Sequence, residues 1–252
     1  MKSKKFLFTI VVVLLMVTSV LPGCNEELQP VEADKLVISS FMSDGHLRMR
    51  SAAFGTKSEA WDSAHDAAVG YVFISENHTE TWVELYTTDS GYKADISRGI
   101  VYFDTSGLPD DATIYNATLR LYGTYLESGY GDWGIIIQSG MPIFPHDPAK
   151  PEDYSYTHYS GNGGAISSGD MGYGYKNIPL NEHGIDWIDK TGTTKFCLRE
   201  WPHDTNNVCP TDVDKINRWQ WYSYEKGQGY WPELVVNYET PREFQLRQQQ
   251  IR

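Results

Sequence analysis

Residues 97–122 read Ser97-Arg-Gly-Ile-Val-Tyr-Phe-Asp-Thr-Ser-Gly-Leu-Pro-Asp-Asp-Ala-Thr-Ile-Tyr-Asn-Ala-Thr-Leu-Arg-Leu-Tyr122. Ile100–Phe103 is a short apolar run, and a polar turn closed by Pro109 follows it. Beyond the turn the chain alternates. Ala117, Leu119 and Leu121 fall on one face of an extended strand, and Thr118, Arg120 and Tyr122 fall on the other. A buried strand, a Pro-Asp turn and a half-buried strand predict an all-β fold, built as an antiparallel two-sheet β-sandwich.

The same pattern repeats outward. His46-Leu-Arg-Met-Arg50, Thr81–Tyr86, Gly134–Ser139, Lys195–Arg199, Arg218–Tyr224 and Trp231–Tyr238 all read as strands. A loop rich in Gly, Pro and Tyr spans residues 140 to about 175, and one short helix is expected near 181–189. Pro232 suits the entry of the last strand, because it cannot donate to a ladder.

The wording of residues 97–122 resembles the DNRLRE-type β-sandwich domains of bacterial and archaeal surface proteins, some of which are similar to carbohydrate-binding modules. Ser43-Asp-Gly, Ile185-Asp-Trp187-Ile with Gly192, and Tyr230-Trp-Pro232-Glu-Leu-Val-Val-Asn-Tyr238 stand in the order of such domains, with Trp231 where Arg is common. The resemblance covers about residues 40–239. It implies a jelly-roll-like sandwich on an exported protein, with Trp187 packing into the end of the core.

The N-terminus agrees with export. Lys2, Lys4 and Lys5 precede an apolar run from Phe6 to Leu21, a signal peptide over 1–23 rather than a spanning helix. Leu21-Pro-Gly-Cys24 resembles the lipobox of prokaryotic lipoproteins, which makes Cys24 the lipidation residue. The alternative is an ordinary signal peptide with an incidental cysteine. Residues 24–39 then read as the lipid attachment and a polar tether, 40–239 as the domain, and 240–252 as a polar tail without strand pattern. The expected location is the cell surface, attached to the membrane by the lipid alone, with a freely secreted protein as the alternative.

Charge removes other classes. The chain has 252 residues with 21 Lys and Arg against 33 Asp and Glu, a formal net charge of −12. Loss of the three leader lysines leaves 18 basic residues against the same 33 acids, a mature charge of −15. Without a cationic stripe, nucleic acid is not an expected partner. Nor does charge favour docking on anionic lipid.

Two cysteines remain in the domain, Cys197 and Cys209, and an oxidising compartment predicts a disulfide between them. Metal-ligating thiols with His203 as a third ligand are the alternative. No H-E-x-x-H, G-x-S-x-G, P-loop or dinucleotide fingerprint occurs, so no enzyme and no cofactor are expected. Asp110 and Asp111 sit in a turn and read as solvated. Asp212 and Asp214 are loop carboxylates of the kind that ligate a structural Ca²⁺.

The positive signal is aromatic surface, since 13% of residues are Phe, Trp or Tyr. Trp133, Tyr173 and Tyr175 are flanked by glycines, and Trp219 and Trp221 alternate with Tyr222 and Tyr224 along one strand. These five (Trp133, Tyr173, Tyr175, Trp219 and Trp221) are the candidate ligand-binding rings, because flat rings suit the apolar faces of sugars. Trp219 and Trp221 equally suit core positions. Two functions follow: a non-catalytic surface module that binds polysaccharide or another cell-envelope polymer, or a structural, adhesive protein that packs through its sandwich.

Overall fold

The computed structural model describes residues 34–41, 44–74 and 76–250. The leader, the lipobox with Cys24 and Ser43 of the Ser-Asp-Gly motif lie outside them. In chain order the elements are β1 (Asp34–Ser39), β2 (Gly45–Arg50), α1 (Lys57–His65), β3 (Tyr71–Ile74), β4 (His78–Thr88), β5 (Gly91–Asp104), β6 (Thr113–Ser128) and β7 (Gly134–Gln138). They continue with β8 (Ala165–Ser167), β9 (Gly174–Pro179), α2 (Glu182–Asp186), β10 (Thr193–Trp201), α3 (His203–Asn206), β11 (Lys215–Tyr222), β12 (Glu233–Glu239) and α4 (Pro241–Gln250). The fold is all-β and antiparallel throughout, in the jelly-roll-like manner expected.

The strands follow one hydrogen-bonded path, β1-β12-β6-β11-β4-β5-β10-β7-β8, with β2 and β3 added beside β5 and β9 beside β6. Side chains from β6, β9, β11 and β12 meet those of β5, β7, β8 and β10 in the main core, which makes the path a sandwich. Ala117, Leu119 and Leu121 face inward, as the alternation predicts.

The long strands β5 and β6 hold the two layers together, because each changes partner midway. Along one edge β5 pairs with β4 through Ser97 and with β10 from Gly99. β6 pairs with β12 through Arg120 and with β11 from Gly123, opposite a bulge at Gln220/Trp221. A glycine stands at each change. A Cβ on Gly99 would lie 2.6 Å from Cη2 of Trp221, and one on Gly123 would overlap the Gly172 carbonyl. Trp219 and Trp221, both fully buried, fill the space the two glycines leave. Glycine in a strand interior marks this kind of close approach.

Several elements differ from the sequence expectation, among them β3, β8 and α3, which it did not include. The last six tether residues form β1, paired with β12 from Asp34↔Tyr238 to Ser39↔Glu233, because Leu36 and Ile38 pack on the main core. The polar tail forms α4, where Thr240 and Glu243 cap each other and Arg247 pairs with Glu239. Helix α1 adds to the short helix α2. Thr56 caps it through a reciprocal pair with Glu59, and it lays Ala60, Trp61 and Ala64 over Val83, Leu85, Ala94 and Ile96. The short helix itself begins where expected, with Asn181 capping Gly184.

Between α1 and the 140–160 loop lies a buried ionic centre. Arg98 and Asp204 are fully buried and Arg199 is nearly so. Asp204 accepts from Arg98 Nη2 at 2.6 Å and from Arg199 Nε and Nη2 at 2.9 and 2.8 Å. The two guanidiniums hold its carboxyl well below the usual carboxylate range, overcoming the opposite effect of burial.

The cysteine expectation is not met: Cys197 and Cys209 are free thiols. Cys197 packs with Leu47, Ile100 and Tyr102, whereas Cys209 packs in the cluster under α1. The two sulfurs belong to different hydrophobic clusters, and burial pushes the Cys197 thiol up to about 12.

A candidate ligand-binding face

The face of β2, β5, β4, β11 and β6 opposite α1 carries the chemistry of the molecule. Register places its side chains in cross-strand rows. One row runs Arg48, Ser97, Trp82, Arg218 and Glu127. A parallel row runs Tyr175, Tyr122, Tyr222 and His78 across β9, β6, β11 and β4. Gln220 lies between them with Glu80 on one side and Tyr125 on the other.

The first row is an ionic and aromatic lattice. Trp82 is 4% exposed because Arg48 and Arg218 lie over it, at 4.5 and 4.8 Å from the ring centroid. Arg48 donates to Asp95 from Nε at 2.8 Å and from Nη2 at 2.5 Å, and Arg50 Nε reaches the same carboxylate at 2.8 Å. Arg218 pairs with Glu80, to which Gln220 Nε2 also donates at 3.3 Å.

Burial raises the Glu80 and Glu84 carboxyls; Arg218 opposes this at Glu80, and the Asp95 charge adds to it at Glu84. Burial, with Arg48 and Arg218 nearby, pulls His46 down to about 3, so the imidazole is neutral at pH 7. Three guanidiniums (Arg48, Arg50 and Arg218) face four carboxylates (Glu80, Glu84, Asp95 and Glu127), so the opposite charges of this lattice largely offset each other.

The second row is a tyrosine cluster. Tyr122 stacks on Tyr222 at 5.6 Å and meets Tyr175 edge-on at 5.1 Å, while His78 lies 4.9 Å from Tyr222. Tyr230 stands edge-on over Tyr122 and Tyr222 at 5.0 and 5.1 Å. Arg120 lies 4.5 Å above Tyr175, and Lys226 lies 4.6 Å above Tyr222. Tyr125 is 40% exposed and Tyr173 75% exposed. The Gly172 carbonyl, which accepts from Trp219 Nε1, lies against Gly123 and so sets Tyr173 beside β6.

Of the five rings proposed from sequence, Tyr173 and Tyr175 belong to this face. Trp133, Trp219 and Trp221 do not. Trp219 and Trp221 point to the opposite side of β11, into the main core, and Trp133 is 2% exposed with its Nε1 donating to Ser128 Oγ at 2.8 Å. Its glycine neighbours do not present it outward, because the indole belongs to the main core.

Tyr122, Tyr125, Tyr222 and Tyr230 are additional to those five. Tyr222 follows from the alternation that places Trp219 and Trp221 inward. Trp201, 41% exposed, borders a separate shallow groove of about 300 Å³ with Asn162, Ala165 and Ser167. Trp187 is half-buried and lies flat on Gly161 and Gly163 at the edge of the core.

Asp212 and Asp214 have different partners. Asp212 pairs with Lys215 Nζ at 2.5 Å, and Asp214, with φ at 59°, accepts from the Thr87 amide at 2.9 Å to fasten the start of β11 to β4. His203 Nδ1 lies 2.8 Å from Glu200 Oε1. Among the described residues no three His, Cys, Asp or Glu side chains converge as metal ligands, and no helix is long and apolar enough to cross a membrane.

No family model and no curated protein matches the chain. Among solved structures it is similar to one described as the cryo-EM structure of Mud crab tombus-like virus at 3.3 Å. The two share 9% identity over 93% of this chain and 96% of that one, with a TM-score of 0.26. A likeness of that degree carries no argument about function.

Proposed function

We propose that this chain is a non-catalytic module that holds polysaccharide or another extracellular polymer on the tyrosine-bearing face, attached to the cell surface through lipidated Cys24. The observation that carries the reading is the continuous row from Tyr175 to His78, with Tyr125 and Tyr173 exposed beside it. Tyrosines present an apolar face with a hydroxyl at its rim, which is the surface a pyranose needs for stacking and hydrogen bonding at once. The ionic lattice next to it, whose guanidiniums are all matched by carboxylates, favours a neutral glycan over an acidic one. The resemblance to carbohydrate-binding modules and the net charge of −12 point the same way.

The carboxylate of Glu80 is occupied by Arg218 and Gln220, which favours a lattice role over that of a free general acid. A glycan array probed with residues 34–250 tests the reading. Retention of at least one polysaccharide, lost when Tyr125 and Tyr173 are both replaced by alanine, is the expected result. An array blank across plant, algal and microbial glycans overturns it and leaves the adhesive alternative, which the exposed Val37 on the terminal strand β1 favours.

A further inference from the structure

A second polar cluster lies apart from the ionic lattice and the tyrosine row. Asp44, immediately before β2, is fully buried, and its Oδ1 accepts from the Tyr102 amide at 3.0 Å. Its Oδ2 makes no hydrogen bond of full geometry. The same holds for Oγ of Ser40, which is 2% exposed, and for both carboxylate oxygens of Glu225. The Asp44 carboxyl stands near the Ser40 hydroxyl and the Tyr224 amide and feels the Glu225 charge, Glu225 stands near the Ser223 hydroxyl, and among the described residues no basic side chain pairs with either acid. Burial drives the Asp44 carboxyl well above its ordinary range and the charge of Glu225 adds to this; burial also raises Glu225.

Four sheltered oxygens with no hydrogen bond of full geometry, on two neighbouring acids and one hydroxyl, with no neighbouring cation, make an expensive arrangement. Ionised carboxylates can only accept, so they cannot satisfy each other. A hard divalent cation satisfies all four oxygens at once and neutralises both charges, and Ca²⁺ takes six to eight oxygens of this kind. We propose that Ser40, Asp44 and Glu225 bind a divalent cation of the Ca²⁺ class, with water or backbone carbonyls completing its shell.

The position gives the ion a task. Glu225 belongs to the 3₁₀ turn Tyr224–Lys226, and Lys226 lies over Tyr222 and Tyr230. Fixing Glu225 to Ser40 and Asp44 fastens that turn, and through it one end of the tyrosine row, to the start of β2.

Terbium is the probe, because nearby tyrosines sensitise its luminescence and no glycan is needed for the readout. The full chain, stripped with a chelator, is titrated with Tb³⁺ under tyrosine excitation and then competed with Ca²⁺, and its melting temperature is followed with Ca²⁺ and with chelator. The expected result is saturable luminescence at one ion per chain, displaced by Ca²⁺, with a melting temperature that rises with Ca²⁺. Glu225→Gln and Asp44→Asn should each weaken Tb³⁺ binding at least about tenfold, since each removes a charged ligand. Asp212→Asn should leave it unchanged.

If Asp44→Asn does not fold, Glu225→Gln on its own decides, because Glu225 is only half-buried and belongs to a short turn outside the strands. Absence of sensitised luminescence together with a melting temperature indifferent to Ca²⁺ overturns the proposal. So does luminescence that survives in Glu225→Gln. Variants that melt higher than wild type and ignore Ca²⁺ also overturn it, and show that a proton holds the pair.

Discussion

Asp204→Asn is the perturbation whose cost can be worked most fully from the structure. The substitution keeps the shape of the side chain but removes the carboxylate that Arg98 and Arg199 share, and it turns an amide NH₂ toward donors. Both guanidiniums are 2% exposed or less, so water cannot take over. Breaking a buried pair by deleting one partner costs about 3–5 kcal/mol. That is a large fraction of the roughly 5–15 kcal/mol by which domains are stable.

The assay is urea unfolding at pH 7, where a slope of about 2 kcal/mol/M converts the loss into a midpoint lowered by roughly 1.5–2.5 M. The pH dependence gives a second reading. The native carboxyl is held below its unfolded value, so its contribution is present above that value and is lost as pH falls toward the native one. The gap between wild type and variant should therefore narrow by about 1 kcal/mol per pH unit below roughly pH 3.9. A variant within about 1 kcal/mol of wild type at pH 7 refutes the reasoning, as does a gap that stays constant into acid.

Three further outcomes follow from the same geometry. Gly123→Ala must move the Gly172 carbonyl or Trp219, and a loss of about 1–3 kcal/mol by thermal or chemical denaturation is expected; an unchanged melting temperature would mean that β6 does not need glycine where it changes partner. Trp219→Ala empties a fully buried site and should cost about 3–5 kcal/mol, whereas Tyr173→Ala, at 75% exposure, should leave stability within about 0.5 kcal/mol.

His46 is neutral in the native state while the unfolded chain binds its proton near pH 6.5, so stability should fall as pH drops below about 6.5, by at most about 1.4 kcal/mol per unit. His46→Gln should flatten that decline in a pH series of unfolding curves, and a decline of equal slope in the variant would assign it to other groups.

The period-two alternation of residues 117–122 made the sandwich legible, because a strand buried on one face cannot slip by one residue without exposing its core set. The same rule separated Trp219 and Trp221 from Tyr222, but it could not say which set was inside. That depends on Gly99 and Gly123, far away in sequence, leaving room for the indoles. Trp133 shows the limit of reading a ring from its glycine neighbours, since the core that buries it is assembled from strands far along the chain.

Helices α1 and α4 have too few apolar residues for a clear 3.6 period, yet both open with Thr-x-x-Glu, Thr56 to Glu59 and Thr240 to Glu243. That capping signature was present in the sequence and was the sign to follow. The separation of Cys197 from Cys209 depends on which cluster each thiol packs into, which their spacing of a dozen residues does not encode.

Affinity electrophoresis of residues 34–250 through gels cast with the best array ligand tests the central claim most directly, with wild type, Tyr125→Ala, Tyr173→Ala and Trp201→Ala run side by side. Loss of a stacked aromatic contact is worth roughly 1–3 kcal/mol, so each tyrosine variant should need about five- to a hundredfold more polysaccharide for equal retardation, while Trp201→Ala, which borders a different groove, should migrate as wild type. Undiminished retardation of both tyrosine variants, or its loss in Trp201→Ala alone, would contradict the assignment of the ligand to the tyrosine-bearing face.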